Sequence, residues 1–159
     1  MKETTISIKV YEAGNASELS SADAVLLQQA VEAANNAYAP YSKFQVGAAV
    51  LLENGEVICG SNQENAAYPS GLCAERVALF YANSHYPNVP VKAIAISSSC
   101  GGRTNEDPVY PCGDCRQVLL EAETRFRKPI HVIMGGSGKI KIVHSLRDLL
   151  PLSFELAGH

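Results

Sequence analysis

Pro111-Cys112-Gly113-Asp114-Cys115 puts two thiols three residues apart at the start of a predicted helix. Positions i and i+3 of a helix share one side, so both sulfurs can grip one ion, and proline is tolerated at such a start. A bare pair of this kind serves redox chemistry as well as metal binding. A third cysteine, Cys73, also opens a predicted helix. Two helix N-termini meeting at one point would offer N–H dipoles that stabilise thiolate charge. Three thiolates around one zinc ion, with no fourth ligand paired to them, leave a position for water, as a catalytic site requires. Cys59 or Cys100 could instead close the tetrahedron and make the site structural. Against this, Cys59 falls in an apolar strand, where a free cysteine behaves as a small buried hydrophobe, and Cys100 precedes two glycines with no partner at ligand spacing.

Three thiolates around a divalent cation carry net negative charge, which weakens zinc as a Lewis acid. Arg76 and Arg116 follow Cys73 and Cys115 closely, and guanidinium hydrogen bonds to thiolate would draw electron density from the metal. Both arginines are therefore expected to tune the zinc, against the plainer reading of surface or ion-pair residues. Glu75 shares the first helical turn with Cys73 but projects along a different line, so it reaches a zinc-bound water without ligating the metal. A glutamate there is also stabilised by the helix dipole without any chemistry. Hydrolysis of an amine on an aromatic ring requires a proton taken from water, one delivered to ring nitrogen and one to departing ammonia. One carboxylate can perform every transfer.

The elements that must position these groups follow from periodicity and turn signals. Thr5–Val10 alternates as a strand, and Gly14–Glu18 reads as a connection. From a cap at Ser21, apolar residues recur at helical spacing through Ala24, Leu26, Leu27, Ala30, Val31 and Ala34, up to Asn35-Asn36. Tyr38–Lys43 is a loop, and Phe44–Leu52 and Glu56–Ser61 form a hairpin of buried strands across Glu53-Asn54-Gly55. Then come a helix over Cys73–Ala82, a strand over Val91–Ser97, a Gly-rich loop over Ser98–Tyr110 and a helix over Cys112–Ala122. Strands Ile130–Met134 and Lys139–Val143 precede a closing helix, His144–Leu150. Helices this frequent among apolar strands predict an α/β fold, a three-layer α/β/α sandwich whose mixed central sheet has some parallel neighbours. Positions 1–159 read as a single domain.

A chain of 159 residues, 47% hydrophobic and 18% charged, can bury a core without crosslinks. A formal charge of −3 and a pI near 5.8 supply no footprint for a polyanion, so no nucleic-acid partner and a small or uncharged substrate are expected. No run approaches the roughly 18 apolar residues of a membrane span, and Met1–Lys9 lacks the features of a signal peptide, so no membrane partner and a cytoplasmic location are expected. An odd count of five cysteines favours thiols or a metal over a disulfide framework.

Cys73-Ala74-Glu75-Arg76, followed by Pro111-Cys112-Gly113-Asp114-Cys115-Arg116-Gln117-Val118, closely resembles the small homotetrameric, zinc-dependent cytidine deaminases of the cytidine/deoxycytidylate deaminase superfamily. The likeness runs from the first helix through Phe44-Gln45-Val46-Gly47-Ala48-Ala49-Val50, Asn62-Gln63-Glu64-Asn65-Ala66-Ala67-Tyr68-Pro69 and Leu149-Leu150-Pro151-Leu152-Ser153-Phe154. It implies one zinc per subunit, a homotetramer and a pocket for a pyrimidine nucleoside. In that pocket Phe44 packs on the base, Asn62 and Glu64 hold the ribose hydroxyls, and the backbone around Ala74 and Cys112, with Ala66, bonds the pyrimidine edge. Tyr68 is a further substrate contact and, with Phe154, falls near the boundary with neighbouring subunits, whose aromatic residues complete each pocket. Taken alone, Phe44 reads as core, while Asn62 and Glu64, two apart on an extended segment, share one side and offer acceptors and a donor. Departures are Gln63 for an aliphatic residue, Tyr110 for a small one, the extension over 1–20 and the lack of a Gly-Pro tail. The implied reaction is hydrolysis of cytidine and 2′-deoxycytidine to uridine and 2′-deoxyuridine with release of ammonia. The alternatives are another aminated nucleoside, such as blasticidin S, as substrate, or a non-catalytic zinc-binding protein that reuses the fold.

Overall fold

The computed structural model describes residues 1–155; positions 156–159, which the predicted single domain includes, lie outside the described residues. Its elements run β1 (Tyr11–Ala13), α1 (Ser21–Ala33), β2 (Phe44–Leu52), β3 (Val57–Ser61), α2 (Ala74–His85), β4 (Val91–Cys100), β5 (Arg103–Thr104), α3 (Gly113–Phe126), β6 (His131–Gly135) and β7 (Ile140–Val143). They build one sheet in the order β1-β7-β6-β4-β2-β3, with β5 pairing β4 beside this path.

Strand alternation sorts the core into two halves. Ala48, Val50, Ile94, Ile96, Val132 and Met134 face α2 and α3, where Leu79, Leu119 and Leu120 are buried against them. Ala49, Ala93, Ala95, Ile133 and Ile140 face Leu26, Leu27 and Ala30 of α1 on the other side. The three-layer α/β/α sandwich and its mixed sheet are thus present. Two helical crossovers, α2 between β3 and β4 and α3 between β4 and β6, put both helix N-termini at the same end of the sheet. Among the described residues β4 and β6 are the one parallel neighbouring pair, because β2 lies between β3 and β4 and runs antiparallel to both.

Several boundaries differ from the sequence reading. Thr5–Val10 is exposed and forms no strand; pairing with β7 begins at Tyr11 opposite Ile142, and β7 is four residues long. The cap of α1 is Ser20, whose hydroxyl accepts from the Asp23 amide at 3.1 Å, and Ser21 is already helical. β4 continues through Ser98, Ser99 and Cys100, where a loop was expected, because β2 supplies a ladder partner as far as Phe44 opposite Cys100. Gly101 and Gly102, at φ 59° and 77°, then turn the chain into β5. The closing helix is a single 3-10 turn, Leu146–Leu149, capped by Ser145. Cys59 is exposed and not a buried hydrophobe, since β3 is an edge strand that α1 does not fully cover. No helix among the described residues is long and apolar enough to cross a membrane.

Gly60 decides how closely α2 approaches the sheet. A Cβ there would lie 2.6 Å from the Ala78 amide nitrogen and 2.7 Å from the Ala74 carbonyl oxygen, both backbone atoms of the helix. Gly60→Ala must therefore displace the first turns of α2, at a cost of about 1–3 kcal/mol. A lowered urea midpoint with an unchanged slope is expected; an unchanged midpoint would show that the helix can move freely.

Candidate active site

Cys73 and Cys112 occupy the N-cap positions of α2 and α3, yet neither side chain caps its own helix. Their sulfurs face each other at 3.8 Å, and with Cys115, in the first turn of α3, all three lie within 4.8 Å of one another. Zinc–sulfur bonds of about 2.3 Å at tetrahedral angles place sulfurs about 3.8 Å apart, so the donor set fits zinc in both chemistry and spacing. Cys115 is buried, Cys73 is half-buried and Cys112 is exposed, which leaves the cluster open on one side. Cys59 and Cys100 are exposed and stand outside it.

The surroundings favour negative charge on the Cys73 sulfur. The Cys73 thiol is pulled down to about 5, first by a hydrogen bond from Cys115 and then by Arg76, whose Nη2 lies 3.7 Å from the sulfur. Cys115, donating to Cys73 and buried, is pushed well above the usual thiol range. Glu75, the second residue of α2, is only 4% exposed. Burial, reinforced by the charge at Cys73, raises its carboxyl above the ordinary carboxylate range, so it holds a proton more readily than a solvated glutamate.

A cleft of roughly 510 Å³ opens beside Cys73 and Arg76, and Asn62, Glu64, Tyr41 and Tyr68 contribute to its walls. Glu64 Oε2 accepts from the Tyr41 amide at 2.9 Å and the Ser42 amide at 3.2 Å. A hydrogen bond from the Ser42 hydroxyl, helped by those amides, holds its carboxyl below the usual range. Asn62 is part of the scaffold as well as of the wall: its Oδ1 accepts from the Val46 amide at 2.8 Å and its Nδ2 donates to the Phe44 carbonyl at 3.0 Å. One N–H and one lone pair remain for a ligand. Phe44 opens β2 partly exposed, outside the residues that line the cleft, and Ala66 is exposed while Ala74 is fully buried. Tyr68 stands edge-on to Tyr41 with ring centroids 6.1 Å apart, and Phe154 is exposed.

Arg116 does not touch a sulfur. Its Nε donates to the Pro111 carbonyl at 2.9 Å and its Nη1 to the Leu149 carbonyl at 3.0 Å, so the hydrogen bond to thiolate through which it is expected to tune the metal is not formed. Neighbouring helical residues point about 100° apart, and with Cys115 turned inward Arg116 faces the chain before and after the helix. The sequence reading also passed over Tyr41 and Ser42, whose amides grip Glu64 across 23 and 22 residues; a Pro-containing loop announces flexibility but not its partner. Gln63, singled out as a departure, lines the cleft and turns its amide to the Ser61 hydroxyl at 3.2 Å.

An α/β/α sandwich that brings three thiols together at two helix N-termini, with a buried carboxylate beside them, defines a centre of the zinc-deaminase class. Residues 20–128 match the family described as the cytidine and deoxycytidylate deaminase zinc-binding region. A cytidine deaminase of Halalkalibacterium halodurans is 48% identical over 134 residues, covering 82% of this chain and 92% of that protein. One from Mycobacterium tuberculosis is 35% identical over 145 residues, covering 83% and 89%. The crystal structure of a cytidine deaminase from Burkholderia pseudomallei superposes with a TM-score of 0.71 at 38% identity, covering 82% of this chain and 97% of the other. The chain belongs to the cytidine and deoxycytidylate deaminase family, whose zinc-binding region it carries. Replacing Cys115 by serine should abolish stable zinc binding, because a neutral hydroxyl in that buried place supplies no thiolate; metal content after dialysis, measured by a colorimetric chelator, should fall from about one per chain to near zero.

Proposed function

We propose that this protein is a cytidine deaminase that hydrolyses cytidine and 2′-deoxycytidine to uridine and 2′-deoxyuridine with release of ammonia. The observation that carries this reading is the buried Glu75 beside three convergent thiols, one of which, Cys73, lines a cleft together with Glu64 and Asn62. Zinc held by Cys73, Cys112 and Cys115 would supply a Lewis acid that makes water nucleophilic near neutral pH. Glu75 takes a proton from the water and passes it to ring N3 as the oxygen adds at C4 of the base. It then moves the second proton to the amine, the C4–N bond breaks, and ammonia leaves with the carbonyl formed. The raised affinity of Glu75 for protons suits a group that must both accept and return one.

Glu64, kept ionised by the Tyr41–Ser42 turn, and Asn62, which follows the end of β3 and is braced on the start of β2, are assigned to the sugar hydroxyls, and Phe44 to the face of the base. The backbone at Ala66, Ala74 and Cys112 is assigned to the pyrimidine edge. Assembly as a homotetramer belongs to the same reading, with Tyr68 and Phe154 at subunit boundaries, and is supported by the exposed aromatic side chains Tyr68, Phe80, Tyr81 and Phe154. A single domain over positions 1–159 is supported by the one sheet that the strands among the described residues share, and a reducing, cytoplasmic setting by the need of the three clustered thiols to stay reduced.

The reading is tested by mixing the purified protein with cytidine and following ammonia and the ultraviolet change to uridine, with zinc-stripped protein as control. Conversion only by the zinc-loaded protein is expected; silence from a fully loaded protein would reject cytidine as the substrate. Glu75→Gln should keep its zinc and lose about 10²- to 10⁴-fold in kcat. Wild-type turnover in that variant would remove Glu75 from the proton path. For Glu64→Gln the expected change is a KM raised about tenfold with kcat nearly preserved, the pattern of lost uniform binding.

A further inference from the structure

Of the three clustered thiols, Cys112 is the exposed one. Cys115 is fixed by burial, and Cys73 is approached by Arg76. What brackets Cys112 is Arg116. Its main-chain amide donates to the Cys112 carbonyl at 2.9 Å, and its side-chain Nε donates to the carbonyl of the preceding residue, buried Pro111, also at 2.9 Å. One residue thus holds the peptide groups on both sides of Cys112. The guanidinium is itself anchored: Nη1 donates to the carbonyl of Leu149, the last residue of the 3-10 turn, whose side chain packs against the core. A planar fork with donors in fixed directions can span two carbonyls at once, which a lysine ammonium on a flexible stem does less well.

We propose that Arg116 is a positioning residue for the metal centre: it fixes the backbone of Cys112 relative to Cys115 by clamping the Pro111 carbonyl and bracing against Leu149. The proposal rests on the zinc-centre reading above, and it differs from a tuning role because it acts on ligand geometry and not on sulfur charge. Without the clamp, Cys112 keeps its thiol but loses its registered backbone, so zinc should leave faster while the fold stays largely intact.

The test is the rate at which zinc passes from the loaded full-length protein to a chromogenic chelator, set beside the urea midpoint of each variant. Arg116→Ala should release zinc at least about 10-fold faster, the size of effect expected when a partner of a metal ligand is removed. Arg116→Lys, able to reach one carbonyl but not both, should fall between the two. Arg125→Ala is the control, since Arg125 lies on the same helix and donates to the Pro87 carbonyl, far from the thiols in sequence. It should release zinc at the wild-type rate even if its midpoint drops. The proposal is overturned if Arg116→Ala releases zinc like the wild type, or if Arg125→Ala speeds release as much. Should Arg116→Ala not fold, the lysine variant decides: wild-type release by it overturns the clamp. A wild type that binds no zinc would instead reject the underlying metal centre, and loss of cytidine turnover alone bears on neither outcome.

Discussion

Two helix N-termini aimed at one point are the constraint on which the structure depends. The positive ends of α2 and α3 would repel each other if nothing lay between them; the sulfurs of Cys73, Cys112 and Cys115, gathered within 4.8 Å, supply the compensating negative charge. Everything around them serves that convergence. Both crossover helices must lie on the same face of the sheet and start at the same end, which the strand order and the parallel β4–β6 pair achieve. The depth of α2 is then set by Gly60, where the helix backbone rests directly on β3. The carboxylate of Glu75 is buried because it rides on the first turn of a helix seated that deeply, and its chemistry follows from its burial.

How much of this was legible in the sequence depended on whether the signal was local. Phe44–Leu52 was read to the residue because an apolar run ends at an Asn-Gly turn. Ser98–Cys100 reads as loop because two serines and a cysteine running into two glycines show no apolar alternation; they are strand only because β2 lies alongside them. Thr5–Val10 failed in the opposite sense, since its alternation is strand-like but β7 is too short to offer it a partner. Propensity proposes a strand, and a neighbouring edge decides it.

The site divides in the same way. Cys73, Cys112, Cys115 and Glu75 were visible because metal chemistry restricts both residue type and spacing, and the helix phase did the rest. The arginines beside them were read alike from adjacency, yet Arg76 points at a sulfur and Arg116 at two carbonyls. Adjacency in sequence does not settle direction on a helix. Glu64 shows the remaining gap: its acidity is governed by a turn more than twenty residues away, and no local pattern links the two.

Cys59 and Cys100, exposed and apart from the cluster, give the chain a built-in occupancy gauge. A mild thiol reagent meets two free sulfurs per chain when the other three of the five are engaged by metal, and meets more as the metal is withdrawn. The ratio of the two counts measures loading without any substrate. The same pair also bears on handling, because sulfurs exposed outside the cluster are open to oxidation, Cys100 more readily than Cys59, whose thiol is pushed up by burial, whereas thiols that hold an ion are shielded.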